Sequence, residues 1–429
     1  MDRTQKFVEI TEAGHNFERQ ALISPFGFKG GSSDFLWNTA VMLKGGGMHG
    51  CGLGTEGVLW SDQNVFFNSS DLSGSAMMFL MTSYALKKSI GRNFSDPFEL
   101  FDYLYPLVYE YGKSITCLDS LRRTFALNSL VPVDCAAWQL YYRINDLKSF
   151  DELIPPNIKA AMDFRHEKLA CIPLVSYGVT EEEIVKLADE GAPLLKIKIG
   201  KDPGWDKERL TRIHGSVGNV FTPYTESGKI LYYLDANGRY NDLEQLMGFI
   251  AHADKIGALE RIVLLEEPFA EGSGIGVSNV PVCVAADESA HSARDVANLA
   301  EIGYKAVALK PAAKTLSMTF RMLDAVKKYD LRAFCADLTV NPILVDWNKN
   351  VSARLAPLPG MKIGAFESNG AQNYAEWNVM ARRHPCYGAD WLEPRGGIYT
   401  LGEDFYNAGG GIFKDSAFYV GHVSKNLIK

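Results

Sequence analysis

Residues 262–267 read IVLLEE, a short apolar run that ends in two carboxylates, and this arrangement recurs through the second half of the chain. Similar runs end at one charged residue each: Lys198 after LLKI, Asp235 after LYYL, Asp287 after CVAA, Lys310 after AVAL and Asp337 after FCA. Continuous apolar runs are typical of strands that helices cover on both faces, as in parallel sheets. Because an unpaired buried charge is costly, charges repeated at strand ends favour the catalytic mouth of a (β/α) barrel.

From Ile172 onward, strand patterns alternate with amphipathic helix patterns. The proposed strands are IPLVSY, LLKIKI, ILYYLD, IVLLEE, VCVAAD, AVALKP, RAFCAD and KIGAFES. The proposed helices are EEEIVKLADEG, PGWDKERLTRIHG, DLEQLMGFIAHADKIG, SARDVANLAEIG and TLSMTFRMLDAVKKYD. About eight such units close a (β/α)8 TIM-type barrel, which we predict for residues 171–370. The alternative, an open doubly wound sheet, requires a glycine-rich phosphate turn after the first strand, and SYGVTEEE is not one.

Residues 1–170 have a different pattern, in which strands come first and helices follow. Alternating and glycine-rich sequence, VEITEAG and WNTAVMLKGGGMHGCGLGTEGVLW, precedes the helical patterns FELFDYLYPLVYEYGKSI and VDCAAWQLYYRI. This order indicates a separate α+β domain. No helix pattern follows GGGMHGCGLG, so we interpret it as a hairpin or loop and not as a nucleotide-binding turn.

Composition restricts the class of protein. The net charge of −7 over 429 residues argues against a nucleic-acid surface. The seven cysteines form no Cys-x-x-Cys pair, which favours buried thiols in a reducing compartment. The N-terminus lacks the apolar core of a signal peptide, and no run approaches the ~18 apolar residues of a membrane span. We therefore expect a cytoplasmic enzyme without a membrane or nucleic-acid partner.

The pair Lys196 and Lys198 is the first candidate for chemistry. Residues two apart in a strand face the same side, so LLKIKI places both ammonium groups on one face and apolar side chains on the other. In a barrel the apolar side meets the helices, which directs the lysines into the mouth. A solvated edge strand is the alternative explanation.

Three carboxylates, Asp235, Glu266 and Asp287, end successive predicted strands. Mg²⁺ prefers oxygen ligands and binds through a few carboxylates while keeping positions for water and substrate oxygens. We interpret the three residues as candidate metal ligands, although each alone fits a helix cap or a solvated turn. Glu267 and Glu288 follow directly, and strand alternation lets only one member of each pair face inward. The spacing does not decide which.

Lys310 ends a later strand and is the second candidate base. A desolvated lysine near another cation has a lowered pKa, which suits it to proton abstraction near neutral pH. Lys198 and Lys310 together would remove a proton from one face of a carbon acid and return it to the other.

Five motifs in order, KIKIG, YYLDANGRY, LLEEPF, VAADESA and ALKPA, resemble the signatures of the enolase superfamily, in particular its muconate-lactonizing branch. That branch includes dipeptide epimerases, o-succinylbenzoate synthases and N-acylamino acid racemases. The resemblance spans roughly residues 170 to 370, and ALISPFGF and ALNSLVPVDCAAW are similar to the family's N-terminal capping domain. It implies that residues 371–429 return toward that domain.

The resemblance implies a role for each matching residue. Lys198 and Lys310 would be the acid/base pair, assisted by Lys196. Asp235, Glu266 and Asp287 would bind Mg²⁺, with Mn²⁺ as an alternative, and the metal would stabilise the enediolate formed from a substrate carboxylate. The mandelate-racemase-like branch uses a His–Asp pair, but RAFCADLTV contains no histidine, which disfavours a histidine base.

The substrate-binding candidates are less specific. Glu367 and Asn369 follow the eighth strand, where dipeptide epimerases carry acids that anchor an ammonium group. Asp337 is a further candidate that either binds substrate, orients Lys310 or caps a helix. The loop around Phe26 and Phe28 and the turn at Gly52–Gly54 are predicted lids. We expect His291 to lie near the site without a chemical role.

These inferences together predict a Mg²⁺-dependent enzyme that abstracts a proton α to a carboxylate, most simply a racemase or epimerase of an amino acid derivative or dipeptide. Syn dehydration, as in o-succinylbenzoate synthesis, and muconate-type cycloisomerisation are alternatives with the same lysines. A barrel that only binds ligands is the alternative of another class. We expect a homo-oligomer, in which residues 60–94 and 219–229 line a subunit contact or extend the pocket.

Overall fold

A computed structural model describes residues 6–28 and 30–429. The N-terminal part contains β1 (Val8–Glu9), β2 (Glu12–Phe28), β3 (Gly31–Gly45), β4 (Met48–Glu56) and β5 (Asn93–Phe94). Strands β2, β3 and β4 form an antiparallel meander, in which the predicted glycine-rich hairpin joins β3 to β4, and β1 pairs with β5. No helix of the described ranges is long and apolar enough to cross a membrane.

The helices of the N-terminal domain pack on this meander. They are α1 (Val58–Ser61), α2 (Gln63–Ser69), α3 (Asp71–Ser89), α4 (Pro97–Thr116) and α5 (Arg123–Ile144). Strand β4 and helix α5 approach so closely that a Cβ atom on Gly50 or Gly52 would lie 2.0 Å from a carbonyl oxygen of α5. The prediction of a lid at Gly52–Gly54 is therefore wrong, because these glycines are buried and allow the helix to contact the strand.

The second part of the chain forms the barrel. Its strands are β6 (Lys168–Ile172), β7 (Leu174–Val175), β8 (Leu194–Lys198), β9 (Leu231–Asp235), β10 (Ile262–Glu266), β11 (Val284–Ala286), β12 (Ala306–Leu309), β13 (Arg332–Cys335) and β14 (Gly364–Glu367). All neighbouring pairs among them are parallel. Pro173 separates β6 from β7; β6 pairs with β14 and β7 pairs with β8. Counting β6 and β7 as one strand position, the sheet closes into a ring of eight positions, which excludes the open sheet.

Helices cover the outside of the ring. They are α6 (Glu181–Asp189), α7 (Pro203–Val217), α8 (Leu243–Lys255), α9 (Ala293–Glu301), α10 (Pro311–Lys314), α11 (Leu316–Lys328) and α12 (Pro342–Ser352). Their starts follow local chemistry: Thr180 and Glu183 form a reciprocal capping box at α6, and the Asp202 side chain accepts backbone hydrogen bonds at the start of α7. The first barrel strand begins at Lys168, four residues before the predicted start, because KLACI pairs with β14.

The C-terminal segment contacts both parts of the chain. It contains α13 (Gly370–Asn373), α14 (Trp377–Ala381), β15 (Ile398–Thr400), α15 (Glu403–Ala408), α16 (Ala417–Val423) and β16 (Leu427–Ile428). Strand β15 pairs antiparallel with β6 outside the ring, and β16 pairs antiparallel with β2 in the N-terminal sheet. The last residues therefore add a strand to the N-terminal domain.

Candidate active site

The carboxyl ends of the barrel strands open into one pocket that the N-terminal domain covers. Its barrel-side lining includes Lys196, Lys198, Asn237, Asp235, Asp287, Glu288, Lys310, Asp337, Glu367 and Asn369. Its upper wall includes Phe26, Leu36, Val58, Leu59 and Trp60. The side chain of Phe28, the other predicted lid residue, lies outside the described residues. The apolar cover over a charged floor suits a site that excludes water from a polar reaction.

Lys198 and Lys310 lie on opposite sides of the pocket. Lys198 ends β8 and Lys310 follows β12, and these strands are four positions apart in the ring of eight. Lys198 Nζ lies 2.6 Å from Asp235 Oδ2 and donates to Asn237 Oδ1 at 2.7 Å. Lys310 Nζ lies 2.8 Å from Asp287 Oδ2. Each predicted base therefore pairs with a different predicted metal ligand. The prediction of a lowered pKa for Lys310 is wrong, because burial lowers the pKa but the charge of Asp287 and of the other carboxylates outweighs burial and raises it.

Lys196 lies at the centre of the charged floor. Its Nζ is 2.9 Å from Asp235 Oδ2, 2.8 Å from Glu266 Oε2 and 3.0 Å from Glu367 Oε2. Burial alone would lower the pKa of Lys196, but the three carboxylates outweigh it and raise the pKa well above the ordinary value. The three carboxylates therefore stabilise the ammonium form of Lys196.

Glu266 is the inward member of the pair that the spacing left open. Its Oε2 lies 2.8 Å from Lys196 Nζ and accepts a hydrogen bond from the Tyr233 hydroxyl, while its Oε1 is buried without a hydrogen-bond partner among the described residues. Burial, and then the negative charge of Asp235, raise the pKa of Glu266 well above its usual range. Glu267 has a left-handed backbone (φ 42°) and accepts instead from the Asp287 backbone N–H at 2.7 Å.

A further buried lysine, Lys314, contacts Asp287 on the Lys310 side of the pocket, and the sequence analysis did not select it. Lys314, at the end of the one-turn helix α10, is fully buried, and its Nζ donates to the Asp287 carbonyl at 2.7 Å and lies 3.2 Å from Asp287 Oδ1. Burial opposes ionisation of Asp287, but Lys310 and Lys314 outweigh it and lower its pKa. The only signal was the second lysine in ALKPAAK, four residues after Lys310, which is one helical turn away.

The residues after β13 and β14 form a hydrogen-bonded cluster beside Lys196. Asp337 Oδ2 accepts from the Asn369 backbone N–H and Asp337 Oδ1 from the Leu338 N–H, both at 2.7 Å. Asn369 Nδ2 donates to Glu367 Oε1 at 3.3 Å. Burial, and then the charge of Glu367, raise the pKa of Asp337 to about 6. Asp337 thus orders the loops after two strands, and its backbone carbonyl accepts from Lys310 Nζ at 3.2 Å.

The predicted metal ligands are carboxylates, the kind of ligand that a divalent cation prefers, but in the structure they contact lysine ammonium groups. In residues 6–28 and 30–429, no three His, Cys, Asp or Glu side chains are grouped to hold a metal ion. Asp235 and Glu266 both contact Lys196, whereas Asp287 contacts Lys310. The buried, unpartnered Glu266 Oε1 is nevertheless the kind of oxygen that a hard cation requires. Metal binding at these carboxylates would require the ammonium groups to turn aside.

Solved structures of known proteins share this fold. A mandelate racemase/muconate lactonizing protein from Herpetosiphon aurantiacus has a TM-score of 0.64 at 17% identity, covering 92% of this chain and 96% of its own. A dipeptide epimerase from Enterococcus faecalis V583, complexed with Mg and the dipeptide L-Leu-L-Tyr, has a TM-score of 0.64 at 15% identity, covering 92% and 98%. An enolase-superfamily member from Listeria innocua has a TM-score of 0.65 at 16% identity, covering 98% of each chain.

No protein-family model matches the chain, and no curated protein matches it in sequence. The similarity to known proteins is therefore one of structure and not of sequence. It confirms the predicted fold, a TIM-type barrel with an N-terminal capping domain.

Proposed function

We propose that this protein is a Mg²⁺-dependent enzyme that removes the proton α to a substrate carboxylate and returns a proton to the opposite face, as a racemase or epimerase does. One observation carries the proposal: Lys198 and Lys310 lie on opposite sides of one covered pocket. Transfer of a proton from one face of a carbon to the other requires a group on each face.

Each residue of the floor has a task in this reaction. Asp235, Glu266 and Asp287 would hold the metal, which when bound supplies positive charge next to the carboxylate oxygens where the enediolate charge develops. Lys196 adds a second, permanent positive charge near that position because its ammonium group is buried among carboxylates. Lys198 Nζ and Lys310 Nζ exchange protons with the α-carbon, one with each face.

The proposed substrate is an amino acid derivative or a dipeptide. The support is the fold similarity to a dipeptide epimerase complexed with L-Leu-L-Tyr and to an N-succinyl Arg/Lys racemase from Bacillus cereus. The apolar cover formed by Phe26, Leu36 and Trp60 would contact the uncharged part of such a molecule. Because fold similarity does not determine a substrate, the experiment has to sample both chemical types.

The test is α-proton exchange in D₂O with Mg²⁺, across paired enantiomers of dipeptides and N-acylamino acids, followed by NMR. We expect deuterium in both enantiomers of at least one substrate, and loss of exchange when the metal is chelated. Dehydration of the substrate, with no deuterium in the substrate that is recovered, would indicate an elimination in place of racemisation. Absence of any exchange across the library, with Mg²⁺ bound, would contradict the proposal and favour a barrel that only binds ligands.

A further inference from the structure

One arginine, Arg122, joins the cover of the pocket to the barrel loops. Helix α1, which carries Trp60, has only four residues and no side-chain cap at its start. Carbonyl groups at the end of a helix lack intrahelical partners, and here Arg122 Nη1 donates to the carbonyls of Trp60 at 3.1 Å and of Ser61 at 3.4 Å. Arg122 therefore holds the end of α1 from the start of α5.

The same guanidinium group contacts two barrel loops. Arg122 Nη2 lies 2.6 Å from Glu271 Oε2 and donates at 3.2 Å to the backbone carbonyl of Glu288, next to Asp287. Glu271 Oε1 in turn lies 2.5 Å from His291 Nε2. Burial opposes ionisation of Glu271, but His291 and Arg122 outweigh it and lower its pKa to about 2. The carboxylate is thus ionised and bonded from both the N-terminal domain and the barrel.

Trp60 brings this attachment to one of the two proposed bases. Its ring centroid lies 4.8 Å from Lys310 Nζ and 5.8 Å from Lys314 Nζ, and the side chain lines the pocket. The ring covers the Lys310 side of the pocket, whereas Lys198 on the opposite side contacts Asp235 and Asn237. A ring over an ammonium group restricts its position and excludes water from it.

We propose that Arg122 is a positioning residue that acts through Trp60: by joining α1 to the loops after β10 and β11, it fixes the indole ring against Lys310 and so serves only the proton transfer on the Lys310 face. This inference rests on the proposed function, because it assumes that Lys310 exchanges a proton with one face of the substrate and Lys198 with the other. The cover closes the whole pocket, but its attachment through Arg122 would affect proton transfer by Lys310 and not by Lys198.

The experiment compares the two enantiomers of one exchanging substrate in D₂O. The Lys310→Ala variant first identifies the enantiomer whose exchange depends on Lys310. Arg122→Lys and Trp60→Leu are then expected to slow exchange of that enantiomer about tenfold or more, while the other changes about twofold or less, because catalysis is sensitive to displacements of about 1 Å. Equal slowing of both enantiomers, or no slowing of either, would overturn the proposal.

A second ion pair between the same two parts of the chain provides the matched control. Arg321 on α11 lies 2.5 Å from Asp102 on α4, and neither residue is among those that line the pocket. Arg321→Lys alters a more exposed ion pair between the same two parts of the chain and is expected to leave the ratio of the two exchange rates unchanged. A shift of that ratio in Arg321→Lys equal to the shift in Arg122→Lys would also contradict the inference, since loosening any domain contact would then suffice.

A measurement without substrate separates this inference from the proposed function. The difference in fluorescence between the wild type and Trp60→Leu isolates the Trp60 emission, and acrylamide quenching of that component reports its exposure. We expect Arg122→Lys to increase the quenching and Arg321→Lys to leave it unchanged. If no wild-type exchange is found, the proposed function fails, while increased quenching still supports the attachment. Unchanged quenching in Arg122→Lys overturns the attachment itself.

Discussion

Replacement of Lys196 by methionine tests how the charged floor is held together. The ammonium group contacts three carboxylates, of Asp235, Glu266 and Glu367, at 2.8 to 3.0 Å, and Lys196 is 3% exposed. Removing one partner of a buried ion pair typically costs about 3–5 kcal/mol. Because the pKa of Glu266 is already raised, this residue can take up a proton and limit the loss. We therefore expect Lys196→Met to lower the free energy of unfolding by about 3 kcal/mol.

The assay is urea unfolding in metal-free buffer, with Lys198→Met as the matched control. Lys198 is 15% exposed, and Asp235 keeps its contact with Lys196 in that variant, so the expected loss is about 1 kcal/mol. Mg²⁺ at about 100 times its dissociation constant should add about 2.7 kcal/mol to a protein that binds it only when folded. At the same Mg²⁺ concentration the added stability should be larger in Lys196→Met, where one ammonium group fewer has to move away from Asp235 and Glu266. Equal losses in the two lysine variants, or no stabilisation by Mg²⁺ in either, would refute this reasoning.

Three further predictions concern the metal, pH and packing. Asp235→Asn should weaken Mg²⁺ binding at least about tenfold in calorimetric titration, since it removes a charged ligand; unchanged affinity would exclude Asp235 as a ligand. Burial raises the pKa of Glu56 from 4.5 to about 8, so the folded state keeps a proton that the unfolded state loses. The stabilising effect of this bound proton is complete below pH 4.5 and is lost as the pH rises through 8, by up to about 1.4 kcal/mol per pH unit. Glu56→Gln should remove this pH dependence from the urea midpoints. Gly52→Ala should cost about 3 kcal/mol in urea unfolding because its Cβ would lie 2.0 Å from the Pro132 carbonyl oxygen, whereas Gly215→Ala, in open space on α7, should be neutral or stabilising.

The barrel could be predicted because its strands are short apolar runs with charged ends, and its helices have a different periodicity. The strand that ends at Lys198 and the helix that begins after Asp202 lie within two residues of their predicted limits. The first strand was placed too late because KLACI is held as a strand by its pairing with β14, which lies nearly 200 residues later in the chain. Sequence periodicity contains no record of such a partner.

The site was less predictable where contacts join distant parts of the chain. Spacing could not show that Glu266 faces Lys196 while a left-handed backbone turns Glu267 away. The lid prediction at Gly52–Gly54 failed because glycine serves close packing as well as loops, and the residues of β4 alone do not distinguish these roles. Trp60 and Arg122 gave no local signal, since their contacts with the barrel exist only in three dimensions.

The most direct test of the central claim is to measure α-deuterium exchange of each enantiomer of one substrate by Lys198→Ala and by Lys310→Ala. We expect each variant to lose exchange of a different enantiomer and to keep detectable exchange of the other, because the two lysines lie on opposite sides of the pocket. Loss of the same enantiomer in both variants, or retention of both enantiomers in either, would contradict this claim.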